Sequence, residues 1–498
     1  MGVNVRAYRI ANARSRSRHW VMFLVAVVVC LFFGVGYLST RQFFSDNEWS
    51  YLLLSFASLL GCLLLLRRLK RSIRDTFPIW ILLLVFGVGY FLQFFLLAPD
   101  PMAFTGQVVM VQHVGWPDLM KAYTTTVLAF LAFCITACWL LARTKQGKRD
   151  SSTRAARETM TLEGAKSLVE WLLVVILPLE LILGYIEWAA NFAVMGGNNA
   201  SLPFHLAGIV YYTRTALLPA LILLLIWIAD HRGLRKYFKL GVALLLAHGV
   251  LDALLRSSRS ALFFTLLGLF FLLILTDRFT RRRKQMVVAG ILLSLLLFPV
   301  ITAYRYARLA GNVSDLTPAL EKGVTAVADK GAFGNLLSDT WFTLIFRVTG
   351  LDSLMQMVAS DQRPIGLLHA HEVTAVFNNQ VMNIPVIVNN SYAPSLVGWF
   401  YFVGGNWLVV IGIASFTASV QSVWGAVRSS NLQSRWIAQA LILLLLVYMA
   451  ADGVLELLPP LVLVTGISLA VLEWLIRRAC CRQICITERV RRHSRLPA

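Results

Sequence analysis

Apolar segments long enough to cross a bilayer recur about twelve times along this chain, and the lysines and arginines between them gather in every second connection. A hydrocarbon core about 30 Å thick takes roughly 20 helical residues. Segments of that kind begin near Trp20, Trp49, Pro78, Ala122, Leu168, Leu206, Phe238, Ala261, Met286, Ser395, Trp436 and Glu456. An unpaired backbone group is costly in lipid, so each segment is expected to be a helix. Hydrophobic residues make up 58% of the 498 and charged residues 14%, with a mean hydropathy of +0.69. A soluble domain leaves too much surface wet to hide that much apolar material, which excludes a soluble enzyme.

The charges give an orientation. With the N-terminus inside, the inner stretches are 1–19, 67–75, 143–167, 230–239, 277–285, 425–435 and 477–498, and they hold 35 of the 46 Lys and Arg. The positive-inside rule is met in all seven, so both termini are expected in the cytoplasm. The net charge of +21 is thereby a membrane signature, and no nucleic-acid partner is expected. The first apolar stretch follows five arginines and resembles a secretory signal. Its length and the many spans behind it make it an uncleaved first helix. Of seven cysteines, Cys30, Cys62, Cys134 and Cys138 fall in spans, and Cys480, Cys481 and Cys485 in the inner tail. No disulfide framework follows.

The expected fold class is an all-α integral membrane protein of about twelve transmembrane helices, with a large, partly helical outer loop between helices nine and ten. The divisions are a basic N-terminus at 1–19, helices one to nine over 20–303, the loop at 304–394, helices ten to twelve over 395–476 and a basic tail at 477–498. The loop is not polar enough to be unstructured. Between Ala332 and Ala359, Leu337, Trp341, Leu344, Val348, Leu351, Met355 and Val358 recur at steps of three and four, the spacing of an amphipathic helix lying on the membrane or on the bundle. Downstream, FNNQVMNIPVIVNNSYAP reads as turns. No internal repeat, phosphate loop, zinc-ligand spacing or serine elbow is present.

Basic residues that break the alternation are the candidates for function. Arg256 and Arg259, in LDALLRSSRSALFF, sit three apart at an outer hairpin, and Arg305 and Arg308, in ITAYRYARLAG, repeat that spacing where the ninth helix ends. Arginine presents a planar, permanently charged fork suited to phosphate. An anion site at the outer face is one reading; snorkelling to headgroups is the other, and Asp252 is one turn from Arg256 and could pair with it. Arg214 lies several residues inside the sixth helix, where an ionisable group is a functional candidate; pairing with Glu180 or Glu187 is its structural alternative. Arg347 lies in the amphipathic stretch. Glu372, beside His369 and His371, could act as a general base, as could Asp352. A third metal ligand is not evident near the His-x-His pair, and neither a metal nor another cofactor is expected. Asp452 and Glu456 mark the last outer hairpin as weaker candidates.

The segment NNSYAPSLVGWFYFVGGNWLVVIG and the Ser/Arg-rich RSSRSALF resemble stretches of the bacterial oligosaccharide repeat-unit polymerases, the O-antigen polymerase type. The plan of many spans with one large outer loop late in the chain is also similar. The loop arginine pair with a glycine eleven positions on, carried by some members, is absent here. The resemblance implies a multi-pass protein of the bacterial inner (cytoplasmic) membrane acting in polysaccharide biosynthesis. Its substrate would be an undecaprenyl-pyrophosphate-linked oligosaccharide, its surroundings membrane lipids, and a chain-length regulator a candidate partner. It implies a metal-independent membrane glycosyltransferase making O-antigen, capsule or exopolysaccharide. Arg214, Arg256, Arg259, Arg305 and Arg308 would bind pyrophosphate, with Glu372, Asp352 and Arg347 as the catalytic group. The alternatives are an O-antigen ligase and a non-enzymatic transporter or flippase of lipid-linked sugars.

Overall fold

The structure, a computed structural model, describes residues 73–97, 114–143, 161–190, 206–276 except 259, parts of 280–304, 350–383 except 361 and 363, and 393–493 except 431 and 454. The first two expected spans, the basic N-terminus, most of the loop before 350 and the end of the tail lie outside these residues.

Twelve α-helices are used below: α1 Phe77–Phe86, α2 Trp116–Arg143, α3 Leu162–Ala189, α4 Leu206–Tyr212, α5 Leu218–His231, α6 Arg235–Leu255, α7 Ser260–Leu275, α8 Leu351–Ala359, α9 Val373–Val376, α10 Leu396–Ser429, α11 Arg435–Asp452 and α12 Leu458–His493. No strand occurs among the described residues. Six helices or helix runs are long and apolar enough to cross a membrane: α2, α3, the α4–α5 run, α6, α10 and the first part of α12. Shorter apolar helices cover Phe77–Leu92, Ala261–Leu275 and Arg435–Ala451. Helices thus occupy nine of the expected spans, and the one from Met286 is helical wherever it is described.

Local chemistry explains where the helices stop. Thr161 caps α3 by accepting from Gly164 N–H (3.3 Å), with Glu163 in the first turn. Gly233 turns left-handed (φ 71°) between α5 and α6. The α6–α7 hairpin is closed by Ser257 at φ 52° and by Ser258 N–H donating to Ala253 O (3.0 Å). Consecutive helices joined by such short turns run antiparallel. The α6–α7 and α11–α12 hairpins lie at one end of the bundle, since Phe264 and Tyr448 meet with ring centroids 5.9 Å apart. The other end carries the ion pairs Asp230–Arg283 and Arg428–Asp75 (2.5 Å). There Glu473 accepts from Gln433 N–H (3.4 Å), Ser434 N–H (3.1 Å) and the Ser434 hydroxyl (3.0 Å), closing the α10–α11 turn. This is called the basic end below and the first the hairpin end.

Departures from regular helix within the spans shape the hairpin end. A π-helical turn over Gly87–Leu92 extends α1, and another over Thr213–Leu217 joins α4 to α5 just before Pro219. Proline has no N–H to give to the carbonyl four residues back, so the preceding turn widens. A third lies in α10, where Gly404 (φ −151°, ψ 16°) and Gly405 (φ 69°, ψ −163°) break the helix. Residues 400 and 412 would stand about 18 Å apart in a straight helix, yet Gly412 lies against the ring of Phe400. The expected span from Ser395 is therefore two helices, a short one folded back on a longer one that starts at Asn406. The expected amphipathic helix also differs. Its described part, α8, has Leu351 through Val358 buried on all sides, Asp352, Ser353 and Gln356 included. It is inserted between α2 and α10 rather than resting on a surface. Insertion that deep needs backbone to touch backbone: a Cβ on Gly350 would overlap the carbonyl of Gly89.

Candidate functional site

The hairpin end holds two polar assemblies, one buried and one exposed. The buried one begins with Arg214, on the widened turn before Pro219 and wholly shielded from solvent. Its guanidinium bonds Glu187, donates to Glu180 Oε1 (3.1 Å) and lies 3.8 Å from Asp252 Oδ1. His248 Nδ1 lies 2.7 Å from the other oxygen of Glu180. Asp252 also accepts from Arg256 Nη1 (3.0 Å), and the Arg256 guanidinium stacks over Tyr211 at 4.5 Å. Arg256 turns into the bundle and is buried. The pairings that the sequence left open, Arg214 with Glu180 or Glu187 and Arg256 with Asp252, are all made at once. Two guanidiniums meet three carboxylates, so this cluster carries no spare positive charge for an anionic ligand.

The second assembly is the loop after α8. It is pinned where α10 breaks. In an unbroken helix the carbonyls of Phe402 and Val403 would accept from Asn406 and Trp407. Here they accept from the loop instead, Ile365 N–H on Phe402 O and Gly366 N–H on Val403 O, each 3.0 Å. The 3-10 turn Leu367–Glu372 follows and carries His369 and His371, each 3.5 Å from the Glu372 carboxylate. All three side chains are more than half exposed. Glu456, from the α11–α12 hairpin, holds the next residues by accepting from Thr374 N–H (3.1 Å) and from the Trp399 indole N–H (3.0 Å). A solvent-exposed carboxylate is thus presented on a segment tethered on both sides. No group of three or more metal-ligating side chains occurs among the described residues.

Asp352 is differently placed from Glu372. It lies in the first turn of α8, only 4% exposed, and accepts from Gly350 N–H (3.0 Å), while its own N–H donates to Gln93 Oε1 (3.2 Å). Burial pushes its carboxyl up to about 6, against the lowering effect of the backbone N–H groups around it. Nearby, Val397 N–H donates to the Tyr90 hydroxyl (3.1 Å) and Ser395 caps α10 through Gly398 N–H (3.1 Å). Asp352 therefore helps lock α8 into the bundle. Glu372 and Asp352 sit in separate surroundings, one open and one closed. Arg259, Arg305, Arg308, Arg347 and Arg363 lie outside the described residues.

Sequence reasoning passed over His248, although it sits one turn from Asp252 and two from Arg256 on the same helix face, a polar stripe at steps of four. Tyr90 and Gln93 gave no signal beyond their place in an apolar run. No family model matches the chain, and no curated protein or solved structure is significantly similar to it.

Proposed function

We propose that the chain polymerises undecaprenyl-pyrophosphate-linked oligosaccharide repeat units in the bacterial inner membrane. A hydroxyl oxygen of the incoming unit attacks the anomeric carbon of the growing chain. The bond from that carbon to the diphosphate oxygen breaks, the lipid diphosphate leaves with the electron pair, and Glu372 accepts the hydroxyl proton. The leaving group is a good one, so alignment and charge stabilisation supply most of the catalysis. The observation that carries this reading is the pinning of the Glu372 segment onto the carbonyls freed by Gly404 and Gly405, inside the stretch that resembles repeat-unit polymerases. A base must be near enough to a substrate to take its proton, and an exposed carboxylate held by its neighbours meets that need.

The buried network redistributes the other roles. Arg214 and Arg256 are engaged with carboxylates, so in this reading they order the hairpin end, and Arg259, Arg305 and Arg308 carry the diphosphate. The test is the polysaccharide profile of cells in which the chromosomal copy is replaced. Glu372→Gln is expected to leave the protein in the membrane and reduce the product to a single repeat on the core. Wild-type chain length in that strain removes Glu372 from the reaction. Bare core with accumulated lipid-linked polymer points to a ligase instead.

A transporter of lipid-linked sugars is the second reading, favoured by one observation: ionisable groups inside spans mark proton and substrate pathways, and the Arg214 cluster is such a group. Elongation by purified protein without an energy source separates the two.

A further inference from the structure

Around Arg214, five buried polar atoms have no hydrogen-bond partner among the described residues: Glu187 Oε1, Arg214 Nε, Asp252 Oδ1, Arg256 Nε and Ser257 Oγ. They belong to one cluster. Arg214 bonds Glu187 and Glu180, its Nε stands 3.8 Å from Asp252 Oδ1, and Asp252 bonds Arg256. Ser257 follows Arg256 directly. Exposure is 0% for Arg214, 1% for Glu187 and 5% for both Glu180 and Asp252.

Among the described residues, the charged groups that face this cluster come from three stretches. From α3 come Glu180 and Glu187, from the turn after α4 comes Arg214 with Tyr211 one turn earlier, and from α6 and its end come His248, Asp252 and Arg256. The helix α7 has no titratable residue, α12 has none before Glu473, which is engaged at the basic end, and in the stretch whose Ile301 packs against Ala253 the described titratable side chain at this end is Tyr304. Among the described residues, three carboxylates against two guanidiniums leave one negative charge whenever the histidine is neutral. A buried uncompensated charge is so unfavourable that such a group neutralises instead. Two carboxylate oxygens in the cluster, Glu187 Oε1 and Asp252 Oδ1, accept no hydrogen bond among the described residues. A metal cation would need several oxygen ligands and would stand beside two guanidiniums. A proton needs neither space nor further ligands.

We propose that this cluster is a binding site for one proton, which brings its buried charge to zero. The site is independent of the Glu372 loop and of which reaction the chain performs. Its occupancy sets the field at the hairpin end: a neutral cluster lowers the cost of bringing any anionic group there.

The test is the thermal midpoint of the full-length protein in lipid nanodiscs between about pH 7 and pH 9. A proton held by the folded state and released on unfolding makes stability fall as pH rises. Wild type is expected to show that fall. Glu187→Gln and Glu180→Gln each remove one negative charge and are expected to lose the one-proton slope. Slopes equal to wild type in both variants overturn the proposal. Asp352, which titrates near 6, lies below this window. Should both variants fail to fold, a chain with its seven cysteines replaced by alanine decides, since thiols with a pKa of about 8.5 would otherwise ionise on unfolding: unfolding by detergent in unbuffered solution at about pH 8 is expected to release one proton per chain, and no release, or uptake, overturns the site.

Discussion

Arg214 is the residue on which the buried cluster turns. It holds Glu187 and Glu180 through different nitrogens, so its removal leaves two carboxylates without their cation in a shielded place. Breaking a buried ion pair by deleting one partner costs about 3–5 kcal/mol. Arg214→Ala is expected to lower the thermal midpoint of the detergent-solubilised protein sharply. Arg214→Lys is expected to recover little of it, because a point charge cannot span both partners. A near-wild-type midpoint for the alanine variant would mean that the cluster is not a stabilising unit. Asp352 makes a separate prediction with a defined sign. Its carboxyl is raised from an ordinary value near 3.9 to about 6, so the folded state prefers it protonated. The stability it contributes is fully present below the ordinary value and is lost as pH rises through about 6, a loss of up to about 3 kcal/mol. Asp352→Asn keeps an oxygen for Gly350 N–H and does not titrate. Its stability relative to wild type is therefore expected to rise between about pH 4 and pH 7, and a constant difference across that range would contradict the burial argument. At this scale the sequence marked Arg214, Arg256 and Glu372 by type and position. It did not separate a buried Asp352 from an exposed Glu372, because burial in the loop depends on partners more than 250 residues away, such as Gln93.

Among the elements, spans were legible and their interruptions were not. Hydropathy locates α2, α3, the α4–α5 run, α6 and the first part of α12 because lipid demands one long apolar helix for each crossing. The same hydropathy passes through Gly404 and Gly405 unbroken, since glycine is common in membrane helices. What makes this pair different is tertiary: two freed carbonyls are accepted by the loop at Ile365 and Gly366. Gly405, at φ 69° and ψ −163°, occupies a region that is nearly closed to other residues. Gly405→Ala is expected to cost about 1–3 kcal/mol and to speed amide exchange at Ile365 and Gly366 in hydrogen-exchange mass spectrometry. Unchanged protection at those amides would show that the break does not anchor the loop. The periodicity of Leu351, Met355 and Val358 correctly indicated a helix, but an apolar stripe does not reveal that the opposite face is also covered. In α8 that face is Ser353 and Gln356. Their burial became possible through the backbone contact of Gly350 with Gly89, a match between two glycines far apart in the chain.

For the whole molecule, the described helices form a membrane bundle with unlike ends. Single ion pairs and a capped turn sit at the basic end; a charge cluster and a tethered loop sit at the other. The short hairpins account for that polarity, because each reverses the chain and returns like loops to like ends. In the proposed orientation the hairpin end faces the outer leaflet, where a lipid diphosphate and its sugars would meet the Glu372 loop. The most direct measurement is elongation by the purified full-length chain in proteoliposomes supplied with undecaprenyl-pyrophosphate-linked repeat units and no energy source. The account predicts a ladder of longer lipid-linked glycans from the wild type and none from Glu372→Gln. Unextended single repeats from folded wild-type protein would contradict it.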